Sequence, residues 1–547
     1  IGGYVWNAEP DRSGTHSTMN LLRSIVMLAM AACAGCSSLS ADTFRLAADL
    51  YRPLQIQRKP DVATVVPALM STYPDADEEL VNKSMRSLSF PRYIFGGITG
   101  YYDSANYLAL ADIHRSLDRF SNNPFAWSLM ANYLALERQP LAATVASDHA
   151  IAILEEIEQK QQLSGVADLE LLYWTAQINK AIFLNLAGEY SNALEVLAAL
   201  ASRQPEEPLI QMAVSWARCT ALIGRGDPQA ALAEIDRAAQ KWPDDIRDSK
   251  LFKSIDYPQY LNSERREANF LFLRGEALLR LNNVVEAESI LRRSIELDGE
   301  LWNSYLSLAT ALYAQGKDNE ARKLLKDLLD KGPEKGLYSM DLAIFNFANL
   351  NLQFKKYDDA ADGFRTIIER AKKRDRKHQD VIQPDVPEEV RSKWEPLSNS
   401  RIVVESRNNL AATLLAIYRD RGDGKDSILN NVDSLLAESE SDIAVENLAR
   451  SKWLADDRKG AVEMLSKAVE TNPQNENMRA SLLKYGIGSG DSAVTYMALN
   501  AYLATVRREI SDEESDTLEQ VSDAADVLLS KPDARDVKER IKAIRHD

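Results

Sequence analysis

Cysteine is almost missing from this chain: its 547 residues contain three, at positions 33, 36 and 219. So few thiols exclude a disulfide framework or a cysteine-bound zinc module as the source of stability. Histidine is equally sparse. His16, His114, His149, His378 and His546 are scattered, and no His-Glu-x-x-His occurs, so no metal site is expected. Glycine (23) and proline (19) are few, and segments alternating apolar with polar residues are short, which argues against sheet. Basic residues are outnumbered, 65 against 81, for a net charge of −16. Nucleic acid is therefore not an expected partner, because phosphate backbones need clustered Lys and Arg. The one basic run, Lys372, Lys373, Arg374, Arg376 and Lys377, closes a predicted helix, where cations offset the helix dipole.

Catalytic motifs are also lacking. Gly486-Ile487-Gly488-Ser489-Gly490 has neither the spacing nor the lysine of a phosphate-binding loop, and it is no nucleophile elbow. It reads as a tight turn. The carboxylates are spread over predicted helix surfaces. The expectation is a protein that is not an enzyme, with no cofactor and no evident small-molecule substrate.

What the chain does have is alanine, leucine and helical periodicity, so the expected fold class is all-α. Between Trp302 and Pro333, Tyr305, Leu308, Ala309 and Leu312 share one helix face, Gly316 breaks that helix, and Ala321, Leu325 and Leu328 line a second. The preceding segment repeats the pattern with Leu271, Gly275, Leu278, Ala287, Leu291 and Ser294. Equivalent alanines fall at Ala143, Ala193, Ala231, Ala287, Ala321, Ala360 and Ala461, at intervals of 50, 38, 56, 34, 39 and 101 residues. A degenerate unit is expected near Val404, with Leu410, Ala411 and Leu414. Cys219 falls on the apolar face of one first helix, as a buried and inert thiol.

The pattern resembles the tetratricopeptide repeat, a helix–turn–helix unit of about 34 residues that stacks into a solenoid. The resemblance implies a concave groove, lined by the first helix of each unit, that holds a peptide or partner helix. The positions that would line it are Asn269, Phe272, Glu276 and Arg280 in one unit and Asn303, Leu306, Thr310 and Tyr313 in the next. Leu342, Phe345, Asn349 and Gln353 follow. Asparagines with exposed aromatics would suit peptide backbone and side-chain anchors.

The amino-terminal region reads as an address. Residues 19–35 combine Arg23, an apolar stretch from Ser24 to Ala32 and small residues before a cysteine, as in a secretory signal peptide. Cys33-Ala34-Gly35-Cys36 resembles a bacterial lipobox, which implies that Cys36 is acylated. Met30-Ala31-Ala32-Cys33 is a competing match, so Cys33 stays open. Ser37, in place of the aspartate that signals inner-membrane retention, implies an outer-membrane lipoprotein facing the periplasm.

The expected organisation is as follows. Residues 1–18 are an upstream, non-native extension, and 36–60 a lipid tether with a first helix. Residues 61–165 form a helical region with a degenerate repeat and an aromatic turn at Phe95–Tyr102. Residues 166–375 form the repeat array, with an insertion over 244–263. Residues 376–400 are a long exposed loop, 401–484 hold further repeat-like units, and 485–547 form capping helices. The expected role is a scaffold binding other envelope proteins or peptides, anchored to a membrane by lipid. The alternative is a partner of a periplasmic solute-binding protein in a tripartite (TRAP-type) transport system, which the helical amino-terminal region loosely resembles.

Overall fold

The computed structural model describes residues 60–88, 102–160, 165–203, 208–241, 263–299, 301–331, 338–382, 386–421, 425–437, 441–506 and 512–546. Cys33 and Cys36, the turn expected over Phe95–Tyr101, most of the 244–263 insertion and Pro333 lie outside them. Among the described residues there is no strand. The chain divides into two compact units, one of residues 41–406 and one that contains residues 407–547.

In the first unit, α1 (Val62–Thr72), α2 (Glu78–Ser87) and α3 (Tyr102–Arg119) come first. A buried hydrogen-bonded group of Ser84, Ser116 and Asn123 ties them to the next helix, whose N-terminus Asn123 caps. Hairpins of helices follow: α4 (Pro124–Leu136) with α5 (Pro140–Gln159), α6 (Ala167–Leu186) with α7 (Tyr190–Ser202), and α8 (Pro208–Arg225) with α9 (Pro228–Lys241). Then come α10 (Ser263–Arg280) with α11 (Val284–Leu297), α12 (Trp302–Ala314) with α13 (Asp318–Lys331), and α14 (Tyr338–Gln353) with α15 (Tyr357–Lys377).

Each hairpin turns by the same device. Arg138, Gly188, Gly226, Asn282, Gly316 and Lys355 have positive φ, as does Asp456 in the second unit. The amide that follows each donates back to a carbonyl five residues earlier, as Gln139 N does to Leu134 O (2.9 Å) and Lys317 N to Leu312 O (2.9 Å). That bond closes a Schellman motif and satisfies a carbonyl that the helix end would leave orphaned. Five residues beyond each turn stands one of the seven alanines, every one of them fully buried.

Seven residues before each turn the first helix carries a small residue: Ala131, Ala181, Cys219, Gly275, Ala309, Ala348 and Ala449. The paired helices cross there. A Cβ on Gly275 would come within 2.6 Å of Leu291 side-chain carbons, so no larger residue fits without displacement. Cys219 takes the same place. Its Sγ lies 3.9 Å from Ala231 O, and burial pushes its thiol pKa up, as expected of an inert cysteine.

The segment after α15 differs from expectation. The described residues of 376–400 do not form a long exposed loop. The helix continues to Lys377 and runs into a π-helical turn at His378–Ile382, followed by α16 (Glu388–Arg391) and a 3-10 turn at Leu397–Asn399. Val386, Val390 and Leu397 are buried, and the two valines join the hydrophobic core of the amino-terminal helices. Each buried valine contributes roughly 1.5 kcal/mol or more, enough to hold a polar, proline-rich stretch down. Between these anchors stand Pro387, Glu388, Glu389, Lys393 and Pro396, part of the charge and proline content that suggested exposure.

Helix α17 (Arg401–Arg421) crosses the division between the units. Beyond it lie α18 (Lys425–Leu436), the hairpin of α19 (Asp442–Leu454) with α20 (Arg458–Thr471), and α21 (Glu476–Gly488), α22 (Ser492–Leu503), α23 (Asp512–Leu528) and α24 (Lys531–His546). Helices α19 to α24 share one apolar core. The turn expected at Gly486 begins later, at Ser489-Gly490. Gly486 and Gly488 are helical, and Gly486 allows α21 to meet α22, since an added Cβ would fall 2.1 Å from the Ala498 Cβ.

Gly486→Ala should therefore destabilise the chain by about 1–3 kcal/mol, despite the roughly 1 kcal/mol that alanine gains in helix propensity. Ala498→Gly in the same chain should recover much of the loss. Denaturant midpoints of the two single variants and the double variant test this.

Candidate functional site

The first helices of successive hairpins, α4, α6, α8, α10, α12 and α14, pack on one another and form a common inner face. The groove positions inferred from sequence all lie on these first helices, and most are covered. Phe272 and Phe345 are each 1% exposed, and Glu276, Asn303 and Asn349 are buried. Asn269 and Tyr313 are half-buried, and Arg280 is exposed. The aromatics are therefore not exposed anchors. Phe345 packs edge-on against Phe364 of its own hairpin, with centroids 5.9 Å apart, and Gln353 Nε2 donates to the Tyr313 hydroxyl at 2.7 Å. Burial arises because neighbouring first helices approach closely enough to bury the positions between them.

Polar groups on this face are left with unused hydrogen-bonding capacity. Ser307 Oγ donates to Glu276 Oε1, while Glu276 Oε2 has no hydrogen-bond partner. The same holds for Asn303 Oδ1 and for both amide atoms of Asn346, which is 1% exposed. Asn346 lies one turn from both Leu342 and Asn349, so the three share a strip of α14. Each unpartnered buried atom costs about 1–3 kcal/mol. Fully buried, the Glu276 carboxyl is pushed up to about 7, although the Ser307 hydrogen bond and the Arg280 charge pull the other way.

A second polar cluster had no sequence signal. The α4–α5 turn carries Glu137, Arg138 and Gln139, and all three meet residues more than 200 positions away. Arg138 Nη1 lies 3.0 Å from Asp341 Oδ2, and Arg370 Nε lies 2.9 Å from Asp341 Oδ1. Glu137 Oε2 is 3.0 Å from His378 Nε2, and its other oxygen is 3.9 Å from Lys377 Nζ. Gln139 bonds the Glu395 backbone in both directions, through Nε2 to O (2.8 Å) and from N to Oε1 (2.9 Å). Burial pushes Glu137 up, but the His378 hydrogen bond with the Lys377, His378 and Arg374 charges holds it below the usual carboxylate range. Arg374 is drawn down to about 10, first by burial and then by the like charge of Arg138. The cations of the basic run are thus partly committed inside the fold.

Among the described residues, no group of three His, Cys, Asp or Glu side chains could hold a metal ion, and no helix is long and apolar enough to cross a membrane.

The family model for the tetratricopeptide repeat matches residues 306–375, and another model of the same repeat matches 212–237 and 268–293. No curated protein matches the sequence. Among solved structures, the apo form of RapI is 11% identical, covering 72% of this chain and 94% of its own, at a TM-score of 0.40. A Rap protein complexed with competence and sporulation factor is 13% identical, with coverages of 68% and 97% and a TM-score of 0.35. The C-terminal part of a TPR repeat-containing protein from Cytophaga hutchinsonii is 13% identical, covering 56% and 99%, at 0.26. At such scores the likeness says nothing of partners. The matched repeats, the recurrent turn and the small-residue crossings together make the fold an all-α tetratricopeptide-repeat solenoid with further helices at either end.

Glu276 imposes a pH dependence of known sign. Its folded pKa lies above the unfolded value of 4.5, so its contribution to stability is complete below about 4.5 and is lost as pH rises through about 7. Glu276→Gln should remove this dependence and leave the variant more stable than the parent at pH 8 by roughly 1–3 kcal/mol. Urea midpoints measured at pH 5 and pH 8 would show it.

Proposed function

We propose that this tetratricopeptide-repeat chain is a lipid-tethered adaptor of the bacterial envelope, whose inner helical face binds an extended segment of a partner protein. Repeat solenoids present long concave surfaces to other proteins, and that general role fits the fold. The observation that carries the finer reading is the set of buried polar atoms on the inner face with no internal partner. Asn346 offers a donor and an acceptor, and Glu276 and Asn303 offer acceptors. A peptide backbone carries both kinds of group at every residue and is the ligand that such a face would satisfy. Their present cost to stability is the kind that a binding surface retains.

The tether belongs to the same reading. Cys36 would be acylated, and the mature protein would stand on the periplasmic side of an outer membrane. Several acyl chains would be needed, because one anchors weakly. The partner is another envelope protein. An affinity pull-down of the lipidated protein from crosslinked envelopes, analysed by mass spectrometry, should return one defined complex.

Two substitutions test the parts separately. Cys36→Ala should move the protein from the membrane to the soluble fraction, and unchanged fractionation would remove the tether from the reading. Asn346→Leu should raise the denaturant midpoint by about 1 kcal/mol in free energy, because an unsatisfied amide becomes apolar. The same change should weaken capture of the complex roughly tenfold, which corresponds to about 1.4 kcal/mol. Capture at full strength would show that the inner face is not where the partner binds.

A further inference from the structure

The seam between α10 and α12 gathers hydrogen-bond acceptors that the fold does not satisfy. Glu276 on α10 is 3% exposed. Ser307 of α12 donates to its Oε1, and Oε2 has no hydrogen-bond partner among the described residues. Asn303, one turn before Ser307 on the same strip of α12, is 8% exposed, and its Oδ1 has none either. Two buried oxygens without donors therefore border one seam.

The neighbouring elements do not supply the missing charge. Helix α12 runs from Trp302 to Ala314 without one acidic or basic side chain. Of the groove positions inferred from sequence, only Glu276 and Arg280 are acidic or basic. Arg280 stands one turn farther along α10, exposed, and acts on Glu276 by its charge without a hydrogen bond to Oε2. Arg274, also on α10, is taken by Asp236 of α9, and Arg292 of α11 by Glu288. Burial accordingly holds the Glu276 pKa up at about 7, against the pull of Ser307 and Arg280.

The inventory of the seam selects a chemical class. A hydroxyl or an amide would bring an acceptor of its own beside two acceptors. Ammonium and guanidinium groups bring donors only, together with the missing charge. Asn346 differs: both of its amide atoms are unpartnered, which suits a peptide backbone rather than a cation. Solvent reaches the next turn of both helices, where Arg280 is exposed and Thr310 half-buried.

We propose that this seam seats one basic side chain, a lysine or an arginine, of the partner segment, with Glu276 as its counter-charge and Asn303 as second acceptor. The assignment rests on the inner-face reading above and adds to it the residue that sets specificity.

The test is selection of short, random phage-displayed segments on the full chain, on Glu276→Gln and on Glu369→Gln. Glu276→Gln removes the charge and keeps the side chain's size. Glu369, exposed on α15, gives up the same unit of charge at the surface. Segments selected by the parent should share a motif with Lys or Arg at one position, roughly tenfold above its frequency in the library. Glu369→Gln should select the same motif. Glu276→Gln should select segments in similar number, with that position returned to library frequency. A motif without the basic position, or one that persists in Glu276→Gln, would overturn the assignment and leave the inner-face reading standing. Basic residues enriched alike at every position would also overturn it, since that is attraction to a net charge of −16. Selection of no segment by any of the chains would remove the inner-face reading, and the assignment with it.

Discussion

Two helices can pack into a hairpin here only because each offers the other almost nothing at the point of crossing. Ala, Gly or Cys stands on the first helix and Ala on the second, so the backbones approach until larger side chains on either side interlock. The positive-φ turn five residues before the alanine sets where the second helix begins. The rest of the fold follows from that contact. A hairpin held there still has an uncovered face, which it buries against the next hairpin, and the array grows by neighbour contacts.

Because the crossing needs only small residues at two positions, most of each hairpin is free to vary. That freedom is used in two ways. Helix length and connections change, which stretches the interval between crossings well beyond 34 residues while each hairpin keeps the same turn. The inner face also carries polar groups at some stability cost. Glu276, Asn303 and Asn346 sit where leucine would be more stable. All three of these departures from an optimal core lie on first helices, α10, α12 and α14.

The crossings were legible in the sequence because they are local. Ala143 through Ala461 could be aligned on the local pattern of small and apolar residues although their intervals vary, and in the structure the first-helix small residues and the turns stand at fixed offsets from them. Even Cys219 was readable, since it occupies a small-residue position. The groove was legible only as a set of positions. Phe272 and Phe345 fall on first helices, as their spacing implied, but they are buried where exposed anchors were expected, because exposure depends on how closely neighbouring helices approach. The 376–400 segment misled through its composition: Pro387 and Pro396 mark it as irregular, while Val386 and Val390, too few to form a periodic pattern, enter the amino-terminal core. Gly486 misled in the opposite way, since glycine served close helix contact there rather than a turn.

By itself the sequence determined the helical class, the repeat, the residues at each crossing and the inertness of Cys219, all of which depend on contacts within a few tens of residues. Tertiary structure alone decided that the two ends of the first unit meet. Arg138 and Asp341 are 203 residues apart, and nothing in either neighbourhood names the other. Their pairing follows from small rotations accumulated from hairpin to hairpin. A sum of that kind becomes visible only when all the hairpins are in place.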